Sequence, residues 1–254
     1  MPKEGLSNMQ GTIAVTGASR GIGAAIAGEL ASRGYTVACL NRSGQPPAAT
    51  ALQPESRARL VGITCDVTKE ADIKPALKAA SELGPPLVGV VNNAGIMIEG
   101  RSSDISTDEF AAVLQTNLLG PFAVCQAAFP YLQAHGSALI VNIGSFWGQM
   151  GIKRYAAYCA SKAAVAALTR CLGVEWAKQG IRVLDVAPGY IESDMNVEEM
   201  EEEEIQKFLE SRLPAGRIGR PDEVARLVAA LFCENIEYLN ATTIYIDGGQ
   251  GPAL

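Results

Sequence analysis

The sequence predicts an α/β protein built on one doubly wound, seven-stranded parallel sheet with helices on both faces. Two observations lead to this fold class. Short apolar or β-branched runs alternate along the whole chain with longer segments of helical periodicity. No linker-like stretch and no internal repeat divides residues 1–254, so we expect a single domain.

Seven short runs are predicted to be buried strands, with helices between most of them. The strands cover residues 12–16, 35–40, 60–65, 87–91, 138–143, 181–186 and 242–246. Helices are predicted at about 21–32, from near 69, and at 107–115, 117–134, 155–178 and 221–232. Residues 45–56 indicate a loop or a short irregular helix, and 146–154 indicate a loop that returns the chain across the sheet edge.

Composition excludes several classes of function. The net charge of −6 leaves no basic stripe to meet the phosphates of a nucleic acid. No apolar run approaches the ~18 residues of a membrane span, and residues 1–10 lack a signal core. We therefore expect no membrane partner and a cytoplasmic protein.

Cysteine and histidine usage argues against a disulfide framework or a metal site. The six cysteines are scattered without a Cys-x-x-Cys spacing, which is typical of a reducing compartment. The single histidine, His135, precedes Gly136 where a helix should end, so we interpret it as part of a helix terminus.

A glycine-rich turn follows the first predicted strand and opens the first helix. Gly17, Gly21 and Gly23 let the backbone approach an anion closely, and the amide groups at the helix N-terminus face it. An ordinary glycine-rich turn is the alternative. The strand before it and the helix after it favour a dinucleotide site.

The end of the second predicted strand bears on the choice of cofactor. Folds that bind NAD place a carboxylate there for the ribose 2′-hydroxyl, but here the residue is Asn41. Arg42 and Arg20 could instead pair with a 2′-phosphate, which favours NADP(H). Two solvated surface arginines are the alternative interpretation.

Polar residues also follow the third and fourth predicted strands. Asp66 could bind the adenine amino group or cap the helix that starts near residue 69. Asn92, Asn93, Ala94 and Gly95 could form a plain turn or the floor of a cofactor site.

Tyr158 and Lys162 lie four residues apart on a predicted helix and therefore face the same way. A phenol titrates near pH ~10, and a nearby ammonium favours the phenolate, so the pair suits proton transfer. Ser145 ends the fifth strand and could hold a substrate carbonyl or cap a turn. Asn117 is polar among leucines, and is either satisfied locally or used in function.

Residues 196–213 combine a run of glutamates with an apolar stripe. Such a charge run usually forms a solvated helix face, and that is the default interpretation. Placed over the carboxyl edge of the sheet, residues of about 190–215 would also suit a substrate lid.

Together these motifs resemble the short-chain dehydrogenase/reductase family along almost the whole chain. The matching residues are Thr16-Gly17-x3-Gly21-x-Gly23, Asn92-Asn93-Ala94-Gly95, Asn117, Ser145, Tyr158-x3-Lys162 and Pro188-Gly189. Gly144-Ser145, the run from Ala187 to Met195, Pro214-Ala215-Gly216-Arg217 and Asp247-Gly248-Gly249 look like 3-oxoacyl-(acyl-carrier-protein) reductases. The resemblance implies a Rossmann-type sheet, a homotetramer and a role in fatty-acid biosynthesis.

The resemblance also implies the site residues. The catalytic set would be Asn117, Ser145, Tyr158 and Lys162: Tyr158 donates a proton, Lys162 lowers its pKa, Ser145 orients the carbonyl, and Asn117 holds a relay water. NADP(H) would be bound by Gly17, Ser19, Arg20, Gly21, Ile22, Gly23, Asn41, Arg42, Ser43, Asp66, Val67, Asn93, Ala94, Gly95, Tyr158, Lys162, Pro188, Gly189, Ile191 and Ser193.

Two departures from the family pattern bear on the substrate. The family often has Val-Asn before the Pro-Gly strand end, where this chain has Val183-Leu184-Asp185. Basic residues that would meet an acidic carrier protein are sparse around His135 and Lys178. A 3-oxoacyl thioester, a free ketone, a sugar or a polycyclic substrate all remain open, and a non-catalytic nucleotide sensor is the alternative of another class.

Overall fold

The computed structural model describes residues 11–48, 52–192 and 213–251. The strands are Thr12–Thr16 (β1), Thr36–Asn41 (β2), Leu60–Thr64 (β3), Leu87–Asn92 (β4), Ala138–Ile143 (β5), Ile181–Pro188 (β6) and Thr242–Ile246 (β7). The α-helices are Gly21–Ser32 (α1), Pro54–Arg57 (α2), Glu70–Ser81 (α3), Thr107–Leu114 (α4), Gly120–His135 (α5), Ala156–Trp176 (α6) and Pro221–Glu234 (α7).

The seven strands form one parallel sheet in the order β3-β2-β1-β4-β5-β6-β7, which confirms the predicted fold class. The strand β1 pairs with β2 on one side and with β4 on the other. The helix after β1 (α1) and the helix α5 that follows β4 cover opposite faces of the sheet, so a crevice opens at the carboxyl ends of β1 and β4. Ligands of open α/β sheets bind in this crevice.

Each face of the sheet has its own apolar core. The face covered by α1 and α7 buries side chains such as Ile13, Val141 and Val224. The opposite face, covered by α3, α5 and α6, buries Ile140, Val183 and side chains of those helices. Strands that are buried on both faces have continuous apolar runs in their sequence, which is why the sequence predicts them well.

The predicted pair of helices at 107–115 and 117–134 is one continuous helical stretch, Thr107–His135. A π-helical turn, Gln115–Leu119, joins α4 to α5 where the sequence indicates a break. Apolar periodicity near 3.6 residues does not distinguish an interruption from a widened turn, because both displace the pattern. Gly136 ends α5 in the left-handed conformation (φ 77°), next to His135 as expected.

The helical stretch Thr107–His135 also bears on the expectation that the protein has no membrane partner. It is long and apolar enough to cross a bilayer by length and composition, with a mean hydropathy of 1.2. Core helices of globular proteins pass the same test. Here Val113, Val124 and Leu132 are fully buried, the last two in the core against the sheet, which favours the core-helix interpretation.

Three local expectations are refined by the structure. The segment 45–56 contains the single-turn helix α2, and the loop expected at 146–154 begins with a 3-10 helix, Phe146–Gln149. The helix α3 starts at Glu70 with Lys69 as its N-cap. Ser193, the acidic run at 196–212 and most of the expected lid lie outside the described residues.

Candidate active site

The glycine-rich turn between β1 and α1 forms a cradle that only glycine fits. Gly17 has φ 65°, and a Cβ there would lie 2.9 Å from the Ala94 Cα. A Cβ on Gly23 would lie 2.4 Å from both the Gly17 carbonyl oxygen and Asn93 Nδ2. No side chain caps α1, and its first turn carries no acidic residue. Its N-terminal amides therefore face open space, as an anion site requires.

Thr16 and Asn93 bind the glycine turn to the end of β4, across the sheet's switch point. The Thr16 hydroxyl accepts hydrogen bonds from the backbone N–H groups of Asn93 (3.0 Å) and Ala94 (3.1 Å). Asn93 Nδ2 donates back to the carbonyls of Thr16 (3.1 Å) and Gly17 (3.2 Å). The predicted cofactor residues Asn93 and Ala94 thus lie beside Gly17. The positioning role of Thr16 was missed, because its partner is 77 residues away.

The end of β2 is organised by the side chain of Asn41, which is 6% exposed. Its Oδ1 accepts from the Ser43 N–H (3.1 Å) and hydroxyl (2.7 Å), and its Nδ2 donates to the Gln45 carbonyl (2.8 Å). The amide is thus used inside the loop. Arg42 and Ser43 are exposed on this loop, and Ser19 and Arg20 are exposed in the glycine turn.

Asp66 shapes the turn after β3 but does not cap α3. Its Oδ1 accepts from the Thr68 N–H (3.0 Å) and hydroxyl (2.7 Å), an Asx turn that ends before the helix. These hydrogen bonds, with smaller contributions from Lys69 and Arg42, lower the pKa of Asp66. The helix-capping alternative is therefore wrong. The neighbouring Val67 is buried against Gly120 at the start of α5.

Ser145, Tyr158 and Lys162 meet at the carboxyl end of β5. Ser145 is the N-cap of the 3-10 helix, where its Oγ accepts from the Trp147 N–H (3.2 Å). Lys162 is 6% exposed, and its Nζ donates to the Ile143 carbonyl (2.7 Å). Lys162 Nζ also lies 5.6 Å from the centroid of the Tyr158 ring. The structure therefore brings these three predicted residues together.

The protonation equilibria of this trio differ from expectation. Burial raises the pKa of Tyr158, and a hydrogen bond with Ser145 opposes that rise. Burial also lowers the pKa of Lys162 to about 8, against an opposing attraction from Asp185. The Tyr158 pKa is therefore not lowered overall, although the Lys162 ammonium lies near its ring. Desolvation of the phenol outweighs other effects, and the ammonium binds a backbone carbonyl instead of the phenol oxygen.

Asn117 lies in the π-helical turn with its side chain fully buried. Its Oδ1 accepts from the Ile96 N–H (2.8 Å), and its Nδ2 donates to the Ile96 carbonyl (2.9 Å) and to Ser161 Oγ (3.1 Å). Ser161 Oγ in turn donates to the Tyr158 carbonyl (2.7 Å). Both amide protons are thus engaged, and Asn117 joins the chain after Gly95 to the helix that carries Tyr158 and Lys162.

Aromatic rings form one wall beside Tyr158. The Trp147 ring contacts Tyr155 (5.0 Å between centroids), Tyr158 (5.8 Å) and Tyr190 (6.0 Å), and Phe146 contacts Tyr190 (5.4 Å). Edge-to-face geometry predominates, which favours a rigid apolar wall. No motif in the sequence indicates this cluster.

The Pro188-Gly189 strand end is held close to β7. The Gly189 N–H donates to the Ile246 carbonyl (3.0 Å), and a Cβ on Gly189 would lie 2.7 Å from the Asp247 Cα. Ile191 forms an isolated parallel bridge with Gly219. The predicted residue Pro188 thus ends β6, and Gly189 and Ile191 continue the carboxyl edge beyond it.

The residues present fit a nicotinamide dinucleotide. The crevice offers a cradle without side chains at Gly17 and Gly23, an uncapped helix N-terminus, and a serine, tyrosine and lysine at the same sheet edge. Among the described residues, no group of three or more His, Cys, Asp or Glu side chains is placed to hold a metal ion. Fold and site together define a nicotinamide-dependent oxidoreductase.

Comparison with known proteins supports the assignment as a nicotinamide-dependent oxidoreductase. A family model described as enoyl-(acyl carrier protein) reductase matches residues 17–250. The chain is 35% identical to a 3-oxoacyl-[acyl-carrier-protein] reductase, MabA, of Mycobacterium tuberculosis, over 94% of this chain and 92% of that one. It is 37% identical to carbonyl reductase family member 4 of Danio rerio, over 92% and 95% of the two chains.

A solved structure shares the whole fold. Gluconate 5-dehydrogenase of Burkholderia cenocepacia, crystallised with NADP and tartrate, superposes with a TM-score of 0.89 at 29% identity, covering 98% of both chains. The chain belongs to the short-chain dehydrogenase/reductase family. It is an oxidoreductase that interconverts ketones and alcohols with NAD(P).

Proposed function

We propose that the protein reduces a ketone to a secondary alcohol with NADPH, and that Ser145, Tyr158 and Lys162 perform the proton chemistry. The observation that carries the proposal is the meeting of these three side chains at the carboxyl end of β5, on the same edge of the sheet as the glycine cradle. A non-catalytic nucleotide sensor needs none of the three side chains. The expected cytoplasmic location belongs to the same proposal.

In this mechanism Tyr158 is the general acid. Its raised pKa keeps the phenol protonated at neutral pH, as a proton donor to a developing alkoxide requires. Ser145 holds the carbonyl oxygen through its hydroxyl, on the same side as the phenol. The nicotinamide, when bound, supplies the hydride.

Lys162 and Asn117 support the acid. The Lys162 ammonium, near the Tyr158 ring, stabilises the negative charge left on the phenol after proton donation. Asn117 fixes Ser161, which lies one turn after Tyr158 and directly before Lys162, and so holds the helix in register with the chain after Gly95. The expected relay water at Asn117 stays part of this proposal.

NADPH is the proposed form of the cofactor. The exposed Arg42 and Arg20 provide cations near the end of β2, whereas the acidic residue that would bind the 2′-hydroxyl of NAD is replaced by Asn41. Asn41 supports the proposal indirectly, because it holds the loop that presents Arg42 and Ser43. The relative crystallised with NADP has the same fold.

The substrate class has two candidates. Similarity to MabA favours a 3-oxoacyl thioester, whereas similarity to carbonyl reductase family member 4 favours a free ketone. The aromatic wall formed by Phe146, Trp147, Tyr155 and Tyr190 suits an apolar substrate in either case.

The deciding experiment follows the consumption of NADPH with acetoacetyl-coenzyme A and with a panel of free ketones, and repeats each hit with NADH. Turnover of the thioester supports the 3-oxoacyl role, and turnover of free ketones alone supports a carbonyl reductase. Tyr158→Phe is the matched control, because it removes one hydroxyl. We expect a loss in kcat of about a hundredfold or more with NADPH binding retained. Nucleotide binding without any turnover would instead indicate a sensor.

A further inference from the structure

A buried carboxylate lies beneath the catalytic edge, and the proposed mechanism does not use it. Asp185, in β6, is only 1% exposed. Its Oδ2 accepts a hydrogen bond from Thr243 Oγ1 (2.9 Å), but its Oδ1 has no hydrogen-bond partner among the described residues. A half-satisfied buried carboxylate is costly, so its presence calls for a physical reason.

Strand register places Asp185 on the face of the sheet that α6 covers. Alternate residues of a strand share a face, and Val183 packs in the core on the α6 side. Asp185 pairs in register with Asn142 of β5, whose Nδ2 donates to Thr169 of α6 (2.8 Å). Asp185 therefore faces the helix that carries Lys162.

The Asp185 carboxylate and the Lys162 ammonium approach two consecutive residues at the end of β5, Gly144 and Ile143 respectively. Lys162 Nζ is held by the carbonyl of Ile143. The next residue is Gly144, where an added Cβ would lie 2.3 Å from Asp185 Oδ1. Asp185 thus lies against the segment that carries both the lysine's acceptor and Ser145.

We propose that Asp185 is a positioning residue that acts through Lys162, keeping the buried ammonium charged at the catalytic edge. Of the measurements that test this inference, only the pH dependence of kcat/KM rests on the proposed function. The Lys162 pKa is lowered by burial to about 8 and raised by Asp185, so losing the carboxylate moves it toward neutrality. A neutral lysine would no longer stabilise the Tyr158 phenolate.

Other groups that act on Asp185 are weaker or more exposed. Burial raises the Asp185 pKa, whereas the Thr243 hydroxyl, Lys162, the Gly144 backbone and Arg170 lower it, in decreasing order. Arg170 is an exposed residue of α6. From β7, the exposed phenol of Tyr245 also interacts with this carboxylate. Lys162 is therefore the only buried cation acting on Asp185 among the described residues.

The test measures the Lys162 pKa by NMR titration of side-chain carbons, with its signal assigned by its loss in Lys162→Met. In Asp185→Asn, which keeps the size and an acceptor for Thr243, we expect this pKa to fall by about one unit or more. The alkaline limb of kcat/KM should move to lower pH by the same amount. An unchanged Lys162 pKa in Asp185→Asn would overturn the proposal.

Two controls separate charge from structure. Thr243→Ser removes a methyl group but keeps the hydroxyl that donates to Asp185, so it should lower the melting temperature without moving the Lys162 pKa. Glu175→Gln removes an exposed carboxylate from α6 and should change neither quantity. A Lys162 pKa shift in either control equal to that in Asp185→Asn would contradict the assignment.

A reciprocal measurement covers the case in which Asp185→Asn fails to fold. Because the coupling is mutual, Lys162→Met should raise the Asp185 pKa, measured on its carboxyl carbon. No rise would overturn the inference. Neither titration needs turnover, so a chain that reduces no ketone would refute the proposed function alone.

Discussion

At the residue scale, Lys162 sets the pH range in which the site can work. Its pKa is lowered to about 8 by burial, so the ammonium that stabilises phenolate is present below that pH and lost above it. We therefore expect kcat/KM for ketone reduction to be level at neutral pH and to fall as the pH rises through about 8. A profile that stays level well above pH 8 would show that this ammonium is not required.

Arg42 governs the choice between the two nicotinamide cofactors. It is exposed beside the loop that Asn41 organises, where a cofactor 2′-phosphate is expected. Arg42→Asp should weaken NADPH binding by about tenfold to a hundredfold, the value of one charge-assisted contact, and should improve the use of NADH. The affinities are measured by titration of protein fluorescence.

Arg57→Asp provides the matched control for that variant. Arg57 is an exposed arginine of α2, so the substitution changes the net charge equally. It should leave both cofactor affinities nearly unchanged. Equal use of NADH and NADPH by the unmodified protein would remove the basis for the role of Arg42.

At the element scale, the close contact between the start of α1 and the end of β4 is the sensitive feature. Gly23→Ala would place a Cβ within 2.4 Å of the Gly17 carbonyl oxygen, so the turn must shift. We expect at least a tenfold loss of NADPH affinity, which corresponds to the free-energy cost of about one strained contact, and a lower melting temperature. Calorimetry and thermal unfolding would measure the two effects.

A second glycine of the same helix supplies the control. A Cβ on Gly28 would lie 3.6 Å from Leu52 Cδ1, an ordinary contact distance. Gly28→Ala should keep NADPH affinity and raise the free energy of unfolding by up to about 1 kcal/mol, the difference in helix propensity. Equal losses in both variants would mean that the cradle at Gly23 has no special role.

At the scale of the whole molecule, we expect the homotetramer that the family resemblance implies. Leu119 and Phe122 are 49% and 42% exposed and lie three residues apart on one side of the helix. Such neighbouring apolar side chains favour a subunit interface. The double variant Leu119→Glu, Phe122→Glu should reduce the mass in light scattering from about four chains to one or two.

Lys74→Glu gives a comparison with the same change in net charge. Lys74 lies on α3 in an exposed ion pair with Glu70, so its substitution should leave the assembly intact. If the unmodified protein is already a monomer, the tetramer expectation is wrong, and the exposed pair has another explanation.

Seven strands and a parallel sheet could be predicted from the amino-acid sequence alone. Buried parallel strands appear as continuous apolar runs, and the predicted boundaries agree with the structure to within one or two residues. The positions of Ser145, Tyr158 and Lys162 at strand and helix ends follow from the same pattern. Local periodicity is enough for these assignments because each depends on residues close in the chain.

The hydrogen-bond partners of the polar groups are visible only in the folded protein. The sequence does not show that Asn41 closes its own loop, that Thr16 holds Asn93, or that Lys162 binds the Ile143 carbonyl. Nor does it place the carboxylate of Asp185 beneath Gly144. These contacts depend on strand register and helix packing between distant segments, and burial then sets the pKa values. No local pattern carries that information.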